Sequence, residues 1–404
     1  MCSATHAVSA PAPVGWNPRT AIAMRFPEIV ELARSTHHEI RAIEAEFDQR
    51  EAGGGDTSCP RQILRELRWR LEYTIDTDGI RAALARLRTR AALSLARSVV
   101  PRDAASSHDD EGAHGPCTDI WFLKLDACVD HMLAADFDEQ GKPPRFLDRI
   151  NDPGRLKDYL ESLLVSRLDE DGIDRRKELN FATADLVRLI LWRRPRGYPW
   201  DPRLEAVIRR FVAGWQDPST GFFGADYLVG GRRLRTVDLS LTFHMARYLE
   251  GAIGYWPQLV DTLFAIRDRR YPNGWLDEIG LTNHNNYDVA VLLQFGWPHM
   301  RPDQRRRAHE ELTRLLDWCL TTAISPDSEV VARAVGESLP ESYYFTIAFL
   351  DTVGYFDPSR RFWTELEFRE APVVRERLKD RLVKLPQRDP MVRMAGERLG
   401  RAGQ

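Results

Sequence analysis

The stretch GLTNHNNYDVAVLLQFGW, residues 280–297, sets a dense polar cluster directly against an apolar run. Asn283, His284, Asn285, Asn286, Tyr287 and Asp288 follow one another, and from Val289 onward the segment is apolar nearly all round. A helix with no polar stripe has no side to give to water and is expected to be buried. Asn is a favoured helix cap, so one of Asn283, Asn285 or Asn286 is expected to start that helix. Three amides, an imidazole and a phenol exceed what capping needs.

The same design recurs. Apolar helices open after polar loops near Asp119, Asn180, Asp238, Asn286 and Ser342, at spacings of roughly 50–60 residues. Between them lie amphipathic segments: GRLKDYLESLLVSRL (154–168), RLEAVIRRFVAGW (203–215), YWPQLVDTLFAIRDR (255–269) and DQRRRAHEELTRLLDWCL (303–320). Their charged faces are expected to meet solvent. Strand-like alternation is nearly absent. The reading is an all-α protein: an α/α toroid of about five to six helical hairpins, inner helices lining a funnel, with a right-handed solenoid as the alternative. Expected boundaries are a flexible tail over 1–24, an N-terminal helical region over 25–100 and a linker loop over 101–117. A toroid domain over 118–370 and a C-terminal helical tail over 371–404 complete the chain.

Composition narrows the classes. The chain has 404 residues and a formal net charge of −3, from 57 basic and 60 acidic side chains. That balance carries no electrostatic footprint for nucleic acid. No apolar run reaches the length of a membrane span. The N-terminal residues lack the charged and apolar regions of a secretory signal. Cys2, Cys59, Cys117, Cys128 and Cys319 are scattered with no CxxC, so free thiols in a reducing cytoplasm are expected. No metal or nucleotide motif names a cofactor. The expected partner is a small-molecule or oligosaccharide substrate, with no nucleic acid and no membrane span.

The loop WQDPSTGFFGADY (215–227) runs aromatic–Gln–Asp–Pro and then Gly–Phe–x–Gly. This resembles the repeat of the terpenoid cyclase and protein prenyltransferase α/α-toroid superfamily, and YPNGWLDEIG (271–280) looks like a degenerate second copy. As a repeat pattern the likeness spans about residues 118–370. It implies a cytoplasmic toroid enzyme acting on an isoprenoid-like apolar substrate in an aromatic-lined central cavity. The catalytic motifs of that superfamily depart. Where an acidic DxDD-type motif would stand, RTVDLSLT offers Asp238 alone. Asp126, Cys128 and His131 share one helix instead of the distributed zinc ligands of prenyltransferases. Asp109, Asp110 and Glu111 lie in a loop and do not form DDxxD.

Inner-helix starts are where a toroid builds its funnel mouth, so the candidates cluster there. His284, Tyr287 and Asp288 stand at i, i+3 and i+4 and project to one side. A carboxylate one turn from a His orients it as a base, and a Tyr serves as acid. On 234–250, Ser240, His244 and Arg247 make a polar stripe, and Asp238 sits where a helix start favours a carboxylate. Glu341, Tyr343 and Tyr344 open another helix, and Asn180 another. Asp238, His244, His284, Tyr287, Asp288 and Glu341 are the expected catalytic groups. Asn180, Ser240, Arg247, Asn283, Asn286, Tyr343 and Tyr344 are the expected substrate-binding groups, and no metal ligand is expected. Trp215, Phe222, Phe223 and Trp275 read as packing between hairpins. Two alternatives stand beside the isoprenoid enzyme. One is a uronate polysaccharide lyase or glycosidase using Asn, His and Tyr at the funnel mouth. The other is a non-catalytic helical-repeat scaffold.

Overall fold

The computed structural model describes residues 10–52, 55–96, 117–134, 145–192, 198–278, 280–324, 338–387 and 389–401. The loop expected over 101–116, with Asp109, Asp110 and Glu111, lies outside them, as does Cys2. Among the described residues the chain forms fifteen α-helices and one small sheet. It divides into two compact units, 1–215 with 225–236, and 216–224 with 237–404.

The first unit begins with α1 (Pro18–Arg25), α2 (Pro27–Ala52), α3 (Ser58–Tyr73) and α4 (Thr77–Ala96). The apolar stripes read from the sequence meet here. Ile29, Ile40, Ile43 and Phe47 of α2 cluster with Ile63, Leu64, Leu67 and Leu71 of α3 and with Ile80 and Leu87 of α4. α5 (Trp121–Ala134), α6 (Pro153–Leu163), α7 (Arg176–Val187) and α8 (Leu204–Trp215) follow.

The mostly helical class holds, but two readings need amending in this unit. Four short strands, β1 (Ala10–Pro11), β2 (Val165–Ser166), β3 (Asp226–Val229) and β4 (Arg232–Arg235), pair in the order β1-β4-β3-β2. The antiparallel pair β3–β4 turns through Gly230 and Gly231, both at positive φ (56° and 71°). Gly-Gly between two extended runs is a hairpin signal. The strands flanking it are too short for alternation to show. The second failure is the expectation of five free thiols. Cys59 and Cys117 form a disulfide with Cα atoms 5.3 Å apart, while Cys128 and Cys319 are free and buried. Thr118 explains the approach. Its hydroxyl donates to Glu66 of α3 at 2.8 Å, which ties the residue next to Cys117 to the helix that carries Cys59.

The second unit holds α9 (Leu239–Tyr248), α10 (Trp256–Ala265), α11 (Asn283–Gly296), α12 (Pro302–Trp318), α13 (Leu339–Thr352), α14 (Ala371–Leu382) and α15 (Pro390–Arg401). α11 packs against α9, α10, α12 and α13, and α15 packs against α13 and α14. α11 is buried along most of its length and α13 from Tyr343 to Thr352, whereas α12 keeps one charged exposed face. The buried and amphipathic characters read from the sequence therefore hold for α11, α12 and α13.

Its loops are pinned by side chains. Gln216 donates to the carbonyls of Gly221 and Gly254, each at 2.7 Å, and accepts from the Gly254 amide at 2.9 Å. Gly221 has φ +70°, and a Cβ there would meet the Leu259 nitrogen at 2.5 Å, so glycine is required for both reasons. Phe222, Phe223 and Trp275 are buried, as packing residues should be. The Trp275 indole donates to the Leu263 carbonyl at 3.0 Å. These are glutamine, glycine and aromatic positions of the loops 215–227 and 271–280.

Candidate functional site

The polar start of α11 sorts itself by hydrogen bonding. Thr282, one residue ahead of the expected caps, starts the helix by accepting from the Asn285 amide at 3.2 Å. Asn285 instead donates its side-chain N–H to the Trp275 carbonyl at 3.0 Å, tying the loop to the helix. Asn283 donates to Thr346 of α13 at 2.7 Å. Two of the three amides are thus crossbeams. Asn286, fully enclosed, leaves its side-chain nitrogen without a hydrogen-bond partner, and Asp288 leaves Oδ1 in the same state. Asn283 Oδ1 is unmet as well, so three polar atoms of this one turn lack a partner, a state shared by Thr183 and Asp185 of α7.

A single chain of ring contacts joins the candidates of three helices. His244 meets Phe243 with centroids 5.1 Å apart, and Phe243 meets Tyr287 at 5.2 Å. Tyr287 meets Phe345 at 6.2 Å, and Phe345 stacks on His284 at 4.1 Å. Tyr344 meets Phe345 at 5.2 Å. His244 and His284 are half-buried, while Tyr287 and Tyr344 are buried.

Two guanidinium groups stand among the phenols. Arg247 of α9 lies 5.6 Å from the Tyr287 ring centroid and 5.2 Å from that of Tyr248, and it hydrogen bonds Tyr344. Arg398 of α15 lies 5.7 Å from the rings of both Tyr287 and Tyr344 and donates to the Tyr287 hydroxyl at 3.2 Å. Arg398 also hydrogen bonds Tyr344.

These charges set the proton affinities. Burial pushes the Tyr344 phenol up, but Arg247 and Arg398 outweigh it and hold the group below its ordinary value. Tyr287, with the same two arginines but deeper burial, is held above its ordinary value. Arg247 keeps its proton despite burial because the phenol oxygens of Tyr287, Tyr248 and Tyr344 favour the cation. Asp288 is pushed well above the carboxylate range by burial, and Asp238 adds to that. Tyr271, donating at 3.2 Å, and Arg247 only partly oppose it.

The remaining candidates have other placements. Asp238 caps α9, accepting from the Leu241 amide at 3.0 Å. Ser240 is buried on α9, and Glu341 is half-buried in the first turn of α13. The Tyr343 hydroxyl accepts from Arg381 of α14 at 3.2 Å and so turns toward a different arginine from its neighbour. Asn180 is buried in α7 of the first unit. In that unit burial, with Asp126, pushes the Cys128 thiol up to about 11, and Asp130 pairs with Arg188. Arg398, Tyr271, Tyr248 and Phe345 belong to the cluster and were not singled out from the sequence. Only the aromatic spacing on 343–345 hinted at the last of them. Comparison of the chain with protein-family models, with curated proteins and with solved structures returned no match.

Proposed function

We propose that the second unit carries an enzyme site for an anionic, carboxylate-bearing substrate, with Arg247 as the anion receptor and Tyr344 as the proton-transfer group. One observation carries the reading. Arg247 is half-buried among aromatic rings and has no carboxylate ion-pair partner among the described residues. A guanidinium drawn out of water without a counter-charge is costly, and an arriving carboxylate removes that cost.

The chemistry follows from the neighbours. A phenol held below its ordinary value by two guanidinium groups is a base able to take the proton from a carbon beside a carboxylate. The receptor neutralises the carboxylate and the charge that develops on it. The C–H pair becomes a C=C bond, the β C–O bond breaks, and the leaving oxygen takes a proton from the Tyr344 phenol or from His284. This is the elimination of a uronate polysaccharide lyase. The inner and outer helices of the second unit support the α/α toroid as its setting. The Cys59–Cys117 bridge supports an oxidising compartment rather than the cytoplasm, and exported glycan-cleaving enzymes work in one.

A second reading keeps the isoprenoid substrate. Burial pushes the Asp288 carboxyl well above its ordinary value beside the Tyr271 phenol, which suits an acid that protonates an alkene, with the neighbouring aromatic faces sheltering a cation.

The test is a panel of uronate oligosaccharides, with binding followed by calorimetry and elimination by the ultraviolet absorbance of the unsaturated product. Tyr344→Phe should bind normally and lose turnover by about 10²–10⁴-fold. Arg247→Ala should lose binding itself. Wild-type protein that binds no uronate, or a Tyr344→Phe variant with full turnover, sinks the lyase reading. Turnover of isoprenoid diphosphates abolished by Asp288→Asn but not by Tyr344→Phe would establish the second.

A further inference from the structure

The two arginines of the site are held differently. Arg247 has no carboxylate partner among the described residues, but Arg398 has one. Its Nη1 donates to Asp351 Oδ2 at 3.1 Å while its Nη2 donates to the Tyr287 hydroxyl at 3.2 Å. Asp351 is buried, and its Oδ1 accepts from Arg360, which reaches in from the exposed turn after α13. Asp351 and Tyr344 share α13 at a separation of seven residues, two turns apart on one face. One helix therefore carries both a site phenol and the carboxylate that grips the guanidinium beside it.

We infer that Asp351 is a positioning residue that aims Arg398 at Tyr287 and Tyr344, which makes α15 a working part of the site. The inference rests on the reading of Tyr344 as the proton-transfer group. Arginine suits the task because its rigid fork serves two acceptors in fixed directions. One arm on Asp351 takes away the rotation of a long side chain, so the other arm stays on the phenols. Arg360 occupies the remaining carboxylate oxygen and stops Asp351 from turning toward water. The charged and titratable groups that meet Tyr344 come from each helix around it: Arg247 of α9, Tyr287 of α11 and Arg398 of α15. Tyr248 acts on Arg247 and Tyr287. Arg381 of α14 is engaged by Tyr343.

The sign of one measurement separates positioning from simple electrostatics. Removing the negative charge of Asp351 while Arg398 stays in place makes the surroundings more positive and lowers the Tyr344 titration midpoint. Releasing Arg398 withdraws a cation from the phenol and raises it. The titration is read as phenolate absorbance, taking the difference between each protein and the same protein carrying Tyr344→Phe. It needs no substrate, so it can succeed even where the elimination reading fails.

Asp351→Asn should raise the midpoint by about one pH unit, a tenfold loss of phenolate at fixed pH. Arg398→Gln should raise it as much, and the double variant no further, because both changes break one interaction. An unchanged or lowered midpoint in folded Asp351→Asn overturns the inference. If that variant fails to fold, Arg398→Lys keeps the charge but loses the fork. Its midpoint should also rise, and a wild-type midpoint there overturns the inference equally. Where uronate turnover is present, Asp351→Asn should lower kcat and leave KM nearly unchanged.

Discussion

Glu66 of the first unit and Asp288 of the second are both fully buried carboxyl groups, and they meet opposite fates. Glu66 accepts from Thr118 at 2.8 Å, from Arg70 at 2.9 Å and from Arg86 at 2.7 Å. Burial pushes its proton affinity up, but those three partners overcome burial and hold it below its ordinary value. Asp288 receives one phenol, leaves one oxygen unmatched, and is pushed well above its ordinary value by burial. The first arrangement is a finished joint between helices. The second is not finished, which is why Asp288 stays in the proposed site.

The comparison breaks or sharpens by measurement. Glu66→Ala takes the buried acceptor from Thr118, Arg70 and Arg86, leaving the two arginines only Asp76 and Asp119 nearer the surface, and should cost about 3–5 kcal/mol of stability, read by chemical denaturation. Because the folded protein lowers Glu66's proton affinity, that stabilisation is present at neutral pH. It is lost as pH falls through and below the ordinary carboxylate range. A cost under about 1 kcal/mol would show that the joint is not what holds α3 to the chain at Thr118.

Cys59→Ser removes the covalent clasp at the same place and should cost about 2–4 kcal/mol. Reducing agent should weaken the wild-type protein by the same amount and leave Cys59→Ser unmoved. Equal stability with and without reductant would mean the bridge does not form in solution.

Asp288→Asn should change stability least, by about 1 kcal/mol or less, because the amide keeps the acceptor for Tyr271 and brings no charge into the buried position. The sign of its pH dependence is opposite to that of Glu66. A group whose folded proton affinity is raised stabilises below its unfolded value and loses that contribution as pH rises through the folded one. Asp288→Asn should therefore flatten the fall in stability on the alkaline side. A large loss in Asp288→Asn at neutral pH would make Asp288 a second structural joint and remove it from the site.

Much of the second unit was legible in the sequence. Helical periodicity identifies α11 and α13 as buried and α10 and α12 as amphipathic, since a period near 3.6 residues is a property of neighbours along the chain. The clustering of Asn283, His284, Tyr287 and Asp288 follows from the same local geometry. The cap was misread by one residue, because Thr282 and three asparagines compete for one role and only the Trp275 carbonyl draws Asn285 away.

What the sequence determined alone was the set of helices, which faces they bury, and that polar side chains crowd the starts of buried ones. The tertiary structure decided which of those side chains are satisfied. Arg398 lies 111 residues from the Tyr287 hydroxyl it contacts, and Cys59 lies 58 residues from Cys117. Periodicity carries no information over such separations. Charges and thiols pair by distance in space, and packing of whole helices sets that distance.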